Sequence, residues 1–189
     1  MYALRKDGFD GDINIALKDA PAGFRIDGGR IPHGSDRVFM TLSAPRDWPE
    51  SLVTLVLEGE ARVAGRSIRR PVVPAEDMMQ AFIYRHLVPA QQLCVAPLNA
   101  KRPVPPVEWL DRMPARLRAG SKNDLRVRIS AGPKAPAFEL ELREPPAGVT
   151  LKDVKRAGPN YALTLQVDAA KVKAGTQGNL IVEAFVAPP

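Results

Sequence analysis

His33 and His86 are the only side chains of this 189-residue chain whose ordinary pKa lies near neutrality, so they are the first places to look for acid–base chemistry. His33 falls in the turn His33-Gly34-Ser35-Asp36 and His86 in the apolar stretch Glu76 to Val88. A reaction site needs partnered groups, and the sequence assembles no cluster of histidine with carboxylate. It also has neither a Gly-x-Ser-x-Gly elbow nor a glycine-rich phosphate loop. The expectation is a non-enzyme, with no catalytic residue and no cofactor site.

Three carboxylates in Asp7-Gly8-Phe9-Asp10-Gly11-Asp12 have the oxygen chemistry that calcium prefers. The spacing is not that of an EF-hand loop, and no glutamate closes it, so a glycine-rich turn accounts for the same residues and no metal ligand is assigned. Two basic rows, Arg62, Arg66, Arg69 and Arg70, then Arg116, Arg118, Lys122, Arg126 and Arg128, could meet an acidic polysaccharide, an anionic lipid surface or nucleic acid, or serve as solvated, guarded strand faces. The net charge of +6 comes from 27 basic and 21 acidic residues interspersed along the chain, without the single patch or fold motif of a nucleic-acid binder. Trp48 and Trp109 form no stripe of exposed aromatics for sugar stacking, and packing is their expected use. Cys94 has no partner for an internal disulfide and is expected to be buried.

The elements that would position these residues repeat. Ile13 to Phe24, INIALKDAPAGF, returns as Phe138 to Val149, FELELREPPAGV. Apolar residues alternate at Ile13, Ile15 and Leu17, and again at Phe138, Leu140 and Leu142, which predicts half-buried strands of an antiparallel sheet. Each strand runs into a Pro-Ala-Gly turn, and residues 13, 21 and 23 recur at 138, 146 and 148, a constant offset of 125. Met40-Thr41-Leu42 matches Leu163-Thr164-Leu165 at an offset of 123, a two-residue loop gap, and Leu57-Glu58 matches Val182-Glu183 at 125 again.

Further strands are predicted at Phe24 to Ile26, Val38 to Ser43, Ser51 to Glu60, Leu125 to Ser130 and Gly178 to Phe185, with a hairpin around Ala64-Gly65. A strand is also expected at Ala115 to Ala119. Leu125, Val127 and Ile129 should face inward, Arg126 and Arg128 outward. Nineteen prolines favour turns and strand edges over helices. The fold class is therefore all-β, with two β-sandwich domains, residues 1–90 and 91–189, each of a size that can hold its own core.

Residues 76–90 are assigned to a short connector; Met78, Met79, Phe82, Ile83 and Leu87 fall at spacings that would give a helix one apolar face, with a hydrophobic linker as the alternative. Leu93 to Ala96 is taken as the first strand of the second module and Asn99 to Pro106 as a stiff polyproline run. On the 125-residue offset Tyr2 corresponds to Val127, with about a strand upstream of it, so the first module is expected to lack its leading strand. No run of eighteen apolar residues is present to span a membrane, and Met1 to Lys6 does not read as a signal peptide.

Asp7-Gly8-Phe9-x-Gly11-x-Ile13 leading to Ala20-Pro21-Ala22-Gly23, the second copy Glu144-Pro145-Pro146-Ala147-Gly148-Val149, and Gly175-x-x-Gly178-Asn179-Leu180-Ile181-Val182 together resemble the bacterial immunoglobulin-like repeat modules of large secreted or cell-surface proteins, especially planctomycete-type repeats. The chain lacks the cysteine pair of antibody-type domains. The resemblance implies tandem immunoglobulin-like sandwiches, an extracellular, cell-surface or periplasmic location and a larger parent protein whose neighbouring domains are the partners. The expected function is a structural or adhesive spacer without an active site; the alternative is a carbohydrate- or acidic-polymer-binding module, with a protein or polysaccharide ligand and no nucleic acid.

Overall fold

The computed structural model describes residues 1–45, 47–49, 51–79, 81–96, 105–132 and 136–186. Among them every regular element is a β-strand except one 3-10 turn at Ala81–Ile83, and all strand pairs are antiparallel. The chain divides into two compact units, Met1–Asn99 and Ala100–Pro189.

In the first unit the strands are β1 (Ile13–Lys18), β2 (Arg25–Asp27), β3 (Arg30–Ile31), β4 (Thr41–Ser43), β5 (Val53–Val63), β6 (Arg66–Pro71), β7 (Ala75–Met79), β8 (Arg85–Pro89) and β9 (Leu93–Val95). The main sheet has the order β3-β1-β5-β6, with β9 also on β5; β2 pairs β4 and β7 pairs β8. The second unit holds β10 (Val107–Trp109), β11 (Lys122–Ile129), β12 (Phe138–Arg143), β13 (Val149–Ala157), β14 (Asn160–Val167) and β15 (Ile181–Val186). Its sheets are β10-β11-β14-β13 and β12-β15.

Alternation decides which face is dry. β1 and β12 show the same sequence of half-buried, exposed and buried positions, with Ile15 and Leu140 at the buried centres. Ile15 packs with Ile31, Val38 and Leu57 in one core; Leu140 packs with Val127, Ile129, Tyr161 and Leu163 in the other. The second core draws on both of its sheets, so they face one another across it as in a β-sandwich. Leu125, Val127 and Ile129 do face inward, and Arg126 is exposed with Arg128 partly covered.

The pairing registers agree with the offsets read from sequence. Ile13, Ile15 and Leu17 oppose Ala61, Gly59 and Leu57; Phe138, Leu140 and Leu142 oppose Val186, Ala184 and Val182, so both partners move by 125. Ile26 opposes Leu42, and Leu151 opposes Leu165, the shift being 125 on one strand and 123 on the other. The turns agree too: Gly23 and Gly148 have φ of 89° and 88°, and Asp19 and Glu144, also 125 apart, are both left-handed. Ala64 and Gly65, both at positive φ, form the two-residue turn expected between β5 and β6.

The units part company after β2. In the first, Asp27-Gly28-Gly29 carries the chain across to β1, where β3 pairs Arg30 with Asn14 and Ile31 with Ile13. Gly29 lies so close to β1 that an added Cβ would sit 2.4 Å from the Ile15 carbonyl oxygen. The 125-residue offset puts Asp153 and Val154 at the places of Gly28 and Gly29. With a branched side chain there that crossing is sterically closed, and β13 instead runs on beside β14, through a bulge near Lys152, to Ala157.

Five expectations are corrected. Residues 76–88 are no helix: β7 and β8 form a hairpin joined by the Ala81–Ile83 turn, with Met78 opposite His86. Phe82, Ile83, Tyr84 and Val88 favour extended structure, Pro74 precedes the hairpin and Pro89 ends it opposite Ala75, and Met78, Met79, Ile83 and Leu87 are exposed rather than gathered on one dry face. Leu93–Val95 pairs with β5 inside the first unit instead of opening the second. Cys94, between two inward neighbours on β9, points out and is exposed. Ala115 to Ala119 is not a strand, because Asn123 offers its side chain to the backbone of Arg118 and Ser121 in place of a ladder; the strand preceding β11 is Val107–Trp109. Val38–Ser43 is strand only over Thr41–Ser43, and most of the polyproline run falls outside the described residues.

Candidate functional site

The densest polar cluster ties the loop of residues 7–12 to the turn of residues 32–36 in the first unit. At its centre the Arg5 guanidinium, its side chain 11% exposed, donates to three backbone carbonyls: Gly11 at 2.7 Å, Pro32 at 3.1 Å and Ser35 at 2.8 Å. It also meets Asp36 at 3.1 Å and lies 5.5 Å from the centre of the Phe9 ring. Five donors in a rigid fork suit this job; a point charge could not serve carbonyls in three directions.

Of the three carboxylates with calcium-like oxygen chemistry, Asp10 and Asp12 are engaged by protein donors. Asp12 accepts from Arg30 at 2.6 Å and from the His33 backbone N–H at 2.8 Å. Asp10 accepts from the Gly34 N–H at 3.0 Å and stands 3.1 Å from His33 Nδ1. Among the described residues no group of three or more His, Cys, Asp or Glu side chains has metal-holding geometry. A histidine and a carboxylate have thus come together across 23 residues, a pairing the linear sequence did not reveal. The His33 ring is 75% exposed, and the nearby Ser35 hydroxyl donates to the Arg37 carbonyl at 2.9 Å. His86 lies apart, exposed on β8.

Hydrogen bonding from Arg30, then from the His33 backbone, holds the Asp12 carboxyl below the usual carboxylate range. A depressed folded-state pKa stabilises the fold fully above the unfolded value of about 4 and loses that contribution as pH falls through the folded value. Asp12→Asn is therefore expected to lower the stability of the first unit at pH 6 by about 1 kcal/mol or less, since the pair is open to solvent. Wild type and variant should converge towards pH 3 in paired thermal melts; a gap of constant size down to pH 3 contradicts the linkage.

The basic rows are partly neutralised where they stand. Arg69 meets Glu60 at 3.1 Å and Glu58 at 3.8 Å. Arg126 grips Asp111 at 2.7 Å, which lowers the Asp111 pKa, and Arg128 reaches Glu108 at 3.5 Å and Asn160 at 3.2 Å. Glu60 is held low by Ser67 first and by Arg69. The tryptophans pack: Trp48 meets Phe24 edge-on with ring centres 5.0 Å apart, and Trp109 covers the second core. The Trp48 indole N–H is buried without a hydrogen-bond partner.

Two shallow concavities flank β12 in the second unit. One lies against Glu141, Leu142, Pro145 and the start of β13; the other against Phe138, Leu140, Val154, Arg156 and Tyr161. Among the described residues no helix is long and apolar enough to cross a membrane. Comparison with known proteins finds no matching family model, no matching curated protein and no matching solved structure.

Proposed function

We propose that the chain is a tandem pair of immunoglobulin-like modules acting as a non-catalytic structural or adhesive spacer in a larger secreted or cell-surface protein. The observation that carries this reading is the shared register: the strand pair β1–β5 and the strand pair β12–β15 meet residue for residue at an offset of 125. Duplicating a core strand pair with its turn makes two self-sufficient bodies, which is what a spacer needs. The polar groups support it as well, because Arg5, Asp10, Asp12, Arg30 and His33 are occupied in holding loops together rather than converging on a cavity.

Pulling the chain from its two ends tests the reading. Two separate unfolding events are expected, each releasing roughly 30 nm for a unit of about 90 residues. One event of twice that length defeats it. A carbohydrate-binding role makes the opposite demand on a glycan array read at low and high salt, where the spacer reading expects no salt-resistant retention of any sugar class.

A further inference from the structure

Successive residues of a strand send their N–H and C=O groups alternately to the neighbours on either side. On β1 the outward edge is filled: Ile15 N–H donates to the Gly29 carbonyl at 2.7 Å, and Ile31, 1% exposed, joins the core. On β12 the counterpart of Ile15 is Leu140, and among the described residues β12 has one partner strand, β15. β13 stays in the opposite sheet instead of crossing. The edge that the first unit closes with its own chain is covered in the second at Phe138, whose N–H donates to the Tyr161 hydroxyl at 3.1 Å, and among the described residues no strand pairs with it beyond that.

Beside that edge are the two concavities, with Phe138, Leu140, Leu142, Leu151, Val154 and Tyr161 along their floor. The charges there are mostly acidic. Glu139 and Glu141 alternate with the inward residues of β12, and Glu183 opposes Glu141 on β15. Arg143 pairs with Glu183 at 3.6 Å, and Arg156 turns its Nε–H to the Gly158 carbonyl. In the first unit the residue opposite Asn14, the counterpart of Glu139, is Arg30.

We propose that the uncovered edge of β12 is a docking site for an extended segment of a partner protein with the order basic, glycine, basic, branched apolar, laid antiparallel to β12 as Gly29-Arg30-Ile31 lies on β1. The apolar residue enters the cleft beside Phe138 and Tyr161, in the manner of Ile31. The basic residues stand opposite Glu139 and Glu141, and the glycine, at the place where a Cβ on Gly29 would meet β1, gives its carbonyl to the Leu140 N–H. Main-chain bonds supply the attraction and the side-chain order supplies the choice of partner. The inference stands on strand register and edge charge, and does not depend on the spacer reading.

The test is amide NMR on the full chain with a synthetic octapeptide in which the order arginine, glycine, arginine, valine occurs twice. Expected are shifts confined to residues 138–142, 154 and 161, slowed hydrogen exchange at Leu140, and at least tenfold weaker binding by the double variant Glu139→Lys, Glu141→Lys. Both substituted positions are exposed, and an unchanged melting temperature shows that the variant folds. Equal binding of the same residues in block order (four arginines, two glycines, then two valines), shifts spread over all acidic positions, or unaltered exchange at Leu140 overturns the proposal. Protection of Leu140 that rises with protein concentration in the absence of peptide puts a second copy of the chain in the cleft and also overturns it.

Discussion

Leu163→Ala is expected to cost the second unit about 3–5 kcal/mol, the upper part of the range for a buried leucine. Leu163 is 1% exposed on β14, the strand that lies between β11 and β13, where it opposes Leu125 on one side and Val154 on the other. Its neighbours Val127, Ile129, Leu140 and Tyr161 come from three strands tied into two sheets, so the hole cannot close by moving one element. A small domain has only about 5–15 kcal/mol to lose, so the variant should bring the unit close to its unfolding midpoint. Urea denaturation followed through Trp109, which lies on this core, measures the change. Leu163→Met should cost less than about 1.5 kcal/mol. Leu52→Ala, at an exposed leucine, should stay within about 0.5 kcal/mol. A loss below about 1 kcal/mol for Leu163→Ala contradicts the packing described.

Much of this core was legible in the sequence because a period of two survives in plain view. Tyr161, Leu163, Leu165 and Val167 alternate with less buried residues, as Leu125, Val127 and Ile129 do across from them. The repeat offset is legible for the same reason, while the pairing of β1 with β5 and of β12 with β15 is seen only in the structure. What fails to show depends on pairing. The hairpin of β7 and β8 has the spacing of a helix face through Met78, Met79, Ile83 and Leu87, and only the opposition of Met78 to His86 makes it a pair of strands. β9 looks like any short strand until β5 claims it.

The different paths after β2 and within β13 have a signal in the sequence. Gly28-Gly29 stands where the offset places Asp153-Val154, and a glycine that passes within 2.4 Å of a backbone oxygen at its missing Cβ marks a close crossing of strands. The same pair of residues explains why one outer edge is sealed and the other is not. A small local choice in side-chain bulk decides whether the chain covers its own strand or leaves it for another.

Arg5→Ala is the second large effect expected, about 2–3 kcal/mol from the first unit. The substitution strips the Gly11, Pro32 and Ser35 carbonyls of a charged donor at once, and water replaces it poorly where the groups are partly buried. The contact with Asp36 adds little, because that carboxylate is 77% exposed. The variant therefore separates two kinds of interaction that look alike on paper: Asp36→Asn should leave stability almost unchanged, while Arg5→Ala releases the loop of residues 7–12 from the turn of residues 32–36. Arg5→Lys should recover only a minor share, since one ammonium cannot address three carbonyls in the geometry of the fork. Hydrogen exchange at His33 and Gly34, whose N–H groups donate to Asp12 and Asp10, reports the release directly. Unchanged protection at those two amides in Arg5→Ala would show that the aspartates alone hold the loops, and that Arg5 is a passenger in the cluster.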